Sequence, residues 1–133
     1  MKESEFLRQI LQAFQDDPNV KMFRRNVGMM KNDKGRPVRF GKVGMSDLFG
    51  WIDEHRCPFC NRRQFGTHFE IEVKNEKGKL TESQRDWLEF VAEHCGIALE
   101  VHPEPNDPIG LRERILKMLV GQKCPVCVEK ETL

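Results

Sequence analysis

Thr67-His68-Phe69-Glu70-Ile71-Glu72-Val73-Lys74 alternates between two chemistries. Phe69, Ile71 and Val73 fall on one side of a period-two segment, and His68, Glu70, Glu72 and Lys74 on the other. The pattern predicts a strand with one face in a core. It places the acid and the ammonium of Glu72-Val73-Lys74 side by side on the opposite face. Glu70 shares that face one pleat away and reads as peripheral. Upstream, the turn Gly44-Met45-Ser46 leads into Asp47, which starts a second strand running to Ile52. If the two strands pair, Asp47, Glu72 and Lys74 converge. Hard carboxylate oxygens with open positions suit Mg²⁺. A neighbouring cation can hold a water while the metal polarises a phosphate. Taken alone, an acid-x-Lys triplet also describes an ordinary solvated strand face.

Around this strand the chain divides into regular pieces. Phe6, Leu7, Ile10, Leu11 and Phe14 form one apolar stripe of a helix, which ends at Asp16-Asp17-Pro18-Asn19. Val20–Arg25 reads as a strand, Asn32-Asp33-Lys34-Gly35 as a turn and Pro37–Phe40 as extended. Thr81-Glu82-Ser83-Gln84 matches a capping box, with Thr81 as cap and Gln84 returning the bond. Its helix runs through Trp87, Leu88 and Val91 to a terminal Gly96, and Cys95 reads as a buried core thiol. Ile97–Val101 is a short strand. Asp107-Pro108 reads as the cap and first residue of a last helix, which Gly121 ends. The order predicts an α/β fold in which helices flank a mixed sheet.

The 133 residues make one domain of 15.6 kDa. With 38% hydrophobic and 32% charged residues the balance is that of a folded soluble protein. No apolar run approaches a membrane span, and no signal-peptide core is evident, so neither a membrane nor a secreted protein is expected. The formal net charge is +1, yet residues 21–42 carry eight cations against one anion. Lys21, Arg24, Arg25, Lys31, Lys34, Arg36, Arg39 and Lys42 suit a polyanion, whose counterions such a segment releases. A solvated hairpin face is the competing reading.

Four of the five cysteines form two knuckles, Cys57-Pro58-Phe59-Cys60 and Cys124-Pro125-Val126-Cys127. Two such pairs complete the tetrahedral sulfur shell of a structural Zn²⁺. Cys124 follows Cys60 by 64 positions, so the metal would pin the C-terminal tail to a central loop. His55 and His68 are substitute ligands or, more simply, solvent-facing residues.

The ordered string Gly41-Lys42-Val43-Gly44-Met45-Ser46-Asp47, Phe69-Glu70-Ile71-Glu72-Val73-Lys74 and Gly78-Lys79-Leu80-Thr81-Glu82-Ser83-Gln84 resembles the VRR-NUC (virus-type replication-repair nuclease) family of the PD-(D/E)xK nuclease superfamily. Phe23-Arg24-Arg25-Asn26-Val27-Gly28 and Val38-Arg39-Phe40-Gly41 extend the likeness, which covers about residues 3–101. Ser46 stands where the family has proline. The cysteine excursion and the tail after residue 101 lie outside its pattern.

The resemblance implies a single nuclease domain over residues 1–133 with a restriction-endonuclease-like fold and an inserted four-cysteine zinc knuckle. Asp47, Glu72 and the Val73 carbonyl would bind Mg²⁺ or Mn²⁺, and Lys74 would position the attacking water. Gln84 would join the site, or serve only as the capping partner. Glu3 would add an acid from the first helix, with Glu5 as rival. The expected activity is endonucleolytic hydrolysis of DNA in the cytoplasm of a bacterial or phage-infected cell. The family's short members set the expectation of a homodimer on branched DNA. Met22, Met29, Met30 and Met45 would supply either a dimer face or core filling. The alternative function is a zinc-bearing nucleic-acid-binding module without catalysis.

Overall fold

The computed structural model describes residues 1–26 and 28–132, with every side chain there except those of Met29, Arg39, Phe40 and Thr132. The side chains of Met29 and Arg39, assigned above to a dimer face and to DNA, therefore lie outside the described residues, as does Val27.

Helix α1 (Glu3–Ala13) presents Phe6, Leu7 and Ile10 to the interior, and Phe14 completes its stripe. Strand β1 (Val20–Arg24) follows, then a separate antiparallel pair, β2 (Gly28–Lys31) and β3 (Pro37–Phe40). The main sheet continues with β4 (Leu48–Arg56) and β5 (Arg63–Val73). Helix α2 (Glu82–Glu93) then leads into β6 (Ile97–Val101). The four-stranded order is β1-β4-β5-β6. β4 is antiparallel to both its neighbours, whereas β5 and β6 run parallel, a pairing that needs a crossover, supplied by α2. The sheet is mixed, as predicted.

One face of this sheet buries Leu48, Ile52, Phe69, Ile71, Val73, Leu99 and Val101. α1 covers it together with α3 (Leu111–Val120), whose Ile115 and Leu119 are fully buried. Each of these two side chains cut back to alanine would cost about 2–5 kcal/mol. Asp17 fastens the layer. Its carboxylate accepts from the N–H groups of Asn19 and Val20, both at 2.9 Å, and from Arg112 of α3. The opposite face holds the polar set that the alternation picked out.

Four details differ from the sequence reading. β4 and β5 form one long hairpin whose tip carries the first knuckle, rather than short strands with an excursion between them. Gly66, at φ 56°, interrupts the polar alternation inside β5 and hides its first half. The cap of α3 is Gly110, not Asp107; Asp107 binds the N–H of Ile109 at 3.1 Å and Arg114 at 2.9 Å. The second knuckle opens a further helix, α4 (Pro125–Thr132), although the sequence reading ends the last helix at Gly121.

Cys95 is the fourth correction: it is exposed, not buried. It takes the left-handed position after α2, with φ 67°. Gly96 is demanded by packing instead, since a Cβ there would lie 2.7 Å from Val91 Cγ1. Its N–H bonds the Val91 carbonyl at 3.0 Å, the closing bond of a Schellman end.

Candidate functional site

Asp47 is placed by a turn that is packed rather than free. Gly44 has φ 90°, and a Cβ there would fall 2.4 Å from the Ser83 carbonyl oxygen. Only glycine lets this turn rest against the start of α2. The Asp47 carbonyl then accepts the N–H of Arg25 at 2.8 Å. Its carboxylate accepts the N–H of Val73 at 3.0 Å, at the end of the β4–β5 ladder.

Glu72 is 2% exposed. Its Oε1 accepts from Gln84 Nε2 at 2.9 Å and lies 3.8 Å from Lys74 Nζ. Its Oε2 is buried with no hydrogen-bond partner. Burial, and then the adjacent Asp47 carboxylate, push the Glu72 carboxyl up to about 8, against the pull of Lys74. Glu3, exposed on the first turn of α1, adds to the repulsion. The structure thus brings Asp47, Glu72 and Lys74 together and sets Glu3 within electrostatic reach. Lys74 is itself buried. Gln84 performs both roles that were treated as alternatives. Its Oε1 accepts the Thr81 N–H at 2.9 Å in the capping box while its Nε2 holds Glu72.

Glu70 is not peripheral. It is 0% exposed and is the centre of a network. Arg25 pairs with both of its oxygens, His68 Nε2 lies 2.5 Å away, and Trp87 Nε1 donates at 2.9 Å. Arg25 also donates toward the Ser46 carbonyl at 3.4 Å, next to Asp47. Sequence reasoning missed Trp87 and the pairing of Arg25 because those partners lie 17 and 45 positions from Glu70. The one available signal was the shared face of Glu70 and Glu72.

The four knuckle cysteines converge. Their sulfurs all lie within 4.8 Å of one another, with Cys57–Cys127 at 3.8 Å and Cys60–Cys124 at 3.5 Å. A tetrahedral Zn²⁺ with bonds of about 2.3 Å sets its sulfurs about 3.8 Å apart. The group therefore fits zinc. Burial pushes the Cys57 thiol up, but the N–H groups of Cys124, Cys60 and Phe59 outweigh it and hold the thiol down at about 6. The N–H and guanidinium of Arg62 hold Cys60 below its ordinary value. Burial and the three neighbouring sulfurs push Cys127 up to about 12. Four thiols this close cannot all ionise without a cation between them. His55 and His68 stand outside the group: His68 binds Glu70, and His55 Nδ1 is buried without a partner.

The VRR-NUC domain family matches residues 2–102. The chain belongs to the VRR-NUC family. This is a nuclease family, which brings DNA as substrate and a nuclease-like fold. Among curated proteins, none matches the chain significantly. In this VRR-NUC protein the first knuckle lies inside the matched stretch and the second beyond it, so the cysteine cluster ties the family's domain to the tail. Among the described residues no helix is long and apolar enough to cross a membrane.

The basic segment divides into two kinds of cation. Arg24, Lys31, Lys34, Arg36 and Lys42 are exposed, most of them on or beside the β2–β3 pair. Arg25 is instead committed to Glu70, and Lys21 Nζ bonds the Asp17 carbonyl at 3.1 Å. The methionines also divide. Met22 packs against the core, Met45 Sδ accepts the Lys42 N–H at 3.1 Å, and Met30 is 65% exposed.

Proposed function

We propose that the chain is one VRR-NUC domain acting as a metal-dependent DNA endonuclease. Asp47, Glu72 and the Val73 carbonyl would hold Mg²⁺ or Mn²⁺. The observation that carries this reading is Glu72 Oε2, a buried carboxylate oxygen with no partner in the protein. A bare buried acceptor costs free energy, and a divalent cation supplies what it lacks. Two carboxylates are too few for an all-protein cage, which suits an ion that keeps waters and takes a substrate phosphate. The bound ion would polarise a non-bridging phosphate oxygen and lower the pKa of a water.

The side chains do the rest. Gln84 fixes the rotamer of Glu72 so that one oxygen faces inward. Lys74, buried beside Glu72, would hold the attacking water and stabilise its hydroxide. The water oxygen forms a bond to phosphorus, and the bond to the 3′-oxygen breaks. A proton returns to that oxygen, leaving a 3′-hydroxyl and a 5′-phosphate. Glu3 would complete the acid ring from α1. The exposed cations on and beside the β2–β3 pair would track the backbone without reading sequence. Zn²⁺ on Cys57, Cys60, Cys124 and Cys127 would be structural, because four thiolates leave no open position.

The finer reading is a homodimer on branched DNA, such as a four-way junction or flap. Two sites related by a two-fold axis would meet opposing strands. Its natural setting is repair of DNA in the cytoplasm.

Cleavage of linear, flapped and four-way DNAs with Mg²⁺ and with EDTA tests the function. Asp47→Asn and Glu72→Gln should each abolish hydrolysis with DNA binding retained. Cleavage by either variant near the unmodified rate would remove the proposed site. Binding without cleavage by the unmodified protein at any divalent ion concentration would leave the non-catalytic binding module.

A further inference from the structure

Beside the candidate site, the same sheet face carries four rings in mutual contact. Phe23 of β1 pairs with Phe49 of β4, Phe49 also pairs with Glu70 of β5, and Trp51 pairs with His68. Paired residues share a face, so all four rings stand on the side of Glu70 and Glu72. Ring centroids are 5.6 Å apart for Phe23–Phe49, 6.4 Å for Phe23–Trp51, 6.1 Å for Phe49–Trp51 and 5.2 Å for Trp51–His68. Phe23 is 47% and Trp51 43% exposed. α1 and α3 cover the other face of these strands, and Phe23 and Trp51 are left open while Phe49 and His68 are half-buried behind them. A contiguous apolar patch on a folded protein marks an interaction surface.

We propose that this ring platform stacks unpaired bases of a single-stranded stretch beside the phosphate to be cut. The inference deepens the nuclease reading and rests on it. Trp51 stands edge-on to Phe23 and Phe49, so each exposed ring offers its own π face. Such faces next to a basic segment suit single-stranded nucleic acid, because every base can stack and the backbone needs cations. The chain leaving β1 at Arg24 continues into the segment that exposes Lys31, Lys34, Arg36 and Lys42. Those cations fit a polyanion. A second copy docked two-fold on this face would set two basic segments against each other.

Position supports the same occupant. Two residues along a strand rise about 6.6 Å and neighbouring strands lie about 4.8 Å apart. By backbone, Phe49 is then about 8 Å and Trp51 about 14 Å from Glu72, within reach of the nucleotides that flank a bound phosphate. The platform is also rigid at its inner end. Arg25, fixed by Glu70, lies 4.4 Å over the Phe49 ring.

The test uses the full chain in EDTA, where nothing is cut. Fluorescence anisotropy follows binding to a labelled oligothymidylate and to a duplex of equal length. Trp51→Phe should keep the single-strand affinity within about two-fold, since it keeps a stacking ring. Trp51→Leu and Phe23→Leu should each weaken it about 10-fold, the low part of the range for one lost base stack. Duplex affinity, held by phosphate contacts, should change less than two-fold. Equal losses on both DNAs, or no loss on either, would overturn the proposal. So would sedimentation in which Trp51→Leu turns a dimer into a monomer. No cleavage is measured, so this failure is separate from that of the nuclease reading, which the Asp47→Asn assay decides.

Discussion

Glu70 and Glu72 are two buried glutamates on one strand face, two residues apart. Their surroundings differ completely. Glu70 is saturated: Arg25, His68 and Trp87 reach it from just past β1, from β5 and from α2. Glu72 has Gln84 and a distant Lys74 on one oxygen and no donor on the other, with the Asp47 carboxylate beside it. A buried acid whose partners are all protein atoms fastens strands and helices together. A buried acid with an empty oxygen, facing Asp47 and pushed up to about 8 by burial and that neighbour, is held in a state that only a proton or a cation relieves. Burial alone therefore does not separate an acid satisfied by the protein from one left open to a proton or a cation. The count of partners does.

The largest expected effect follows from reversing the two. Glu70→Ala leaves Arg25 without its partner in a mostly buried place, and should lower stability by about 3–5 kcal/mol. Glu72→Gln puts a neutral amide where a carboxyl raised to about 8 stands beside Asp47, so metal-free stability should hold near neutral pH and rise above the parent's as pH passes about 8. Its cleavage should fall more than about 100-fold, beyond the loss expected for an outer partner of a metal site. Denaturant unfolding with a cleavage assay reads both. Two variants with the same stability loss would erase the distinction.

The sequence made one half of this contrast legible. Period-two alternation put Glu72 and Lys74 on one face, and the glycine turn pointed Asp47 at them. The capping box located Gln84 correctly, because a local pattern at i and i+3 contains both of its partners. Glu70 could not be read in the same way. Its network depends on strand order and on the tilt of α2, which no local window encodes. The length of the β4–β5 hairpin was hidden for a related reason. Gly66 breaks the alternation, and residues near the tip owe their strand geometry to pairing across the hairpin. Cys95 was misread because an apolar helical stripe was extended beyond the end of α2 at Glu93 onto the residue where the backbone turns left-handed.

The cysteine cluster extends the comparison to a second region, where partners are also missing but the atoms are sulfur. Protein purified without chelator should carry one zinc per chain. Cys57→Ser should lower that content and the melting temperature, and should free the α4 segment to proteolysis. Activity should fall less than in Glu72→Gln, since the sulfurs hold the tail rather than the phosphate. Metal analysis with no zinc, or a Cys57–Cys60 disulfide in mass spectrometry, would remove the cluster from the comparison.

The smallest effect concerns pH, and its sign separates a saturated acid from an orphan. Asp17 is buried like Glu70 and well partnered. Burial pushes its carboxyl up, but the N–H groups of Asn19 and Val20 and the Arg112 guanidinium outweigh it and hold the pKa below the ordinary carboxylate value. A depressed acid contributes stability that is present above its unfolded pKa and is lost as pH falls through the folded one. Glu72 has the opposite sign. Its raised carboxyl keeps a proton that the unfolded chain has released, so its contribution is present below the ordinary value and is lost as pH rises through about 8. Asp17→Asn should therefore cost about 2 kcal/mol at neutral pH and flatten the acid limb of the stability curve below about pH 4. The slope between pH 5 and 8 in EDTA should stay as in the parent, because Asp17 is ionised throughout that range and groups such as Glu72 and Cys57 titrate there instead. Melting curves across that range decide the matter: an unchanged acid limb in Asp17→Asn would mean that partner count does not set the direction in which a buried acid is displaced here.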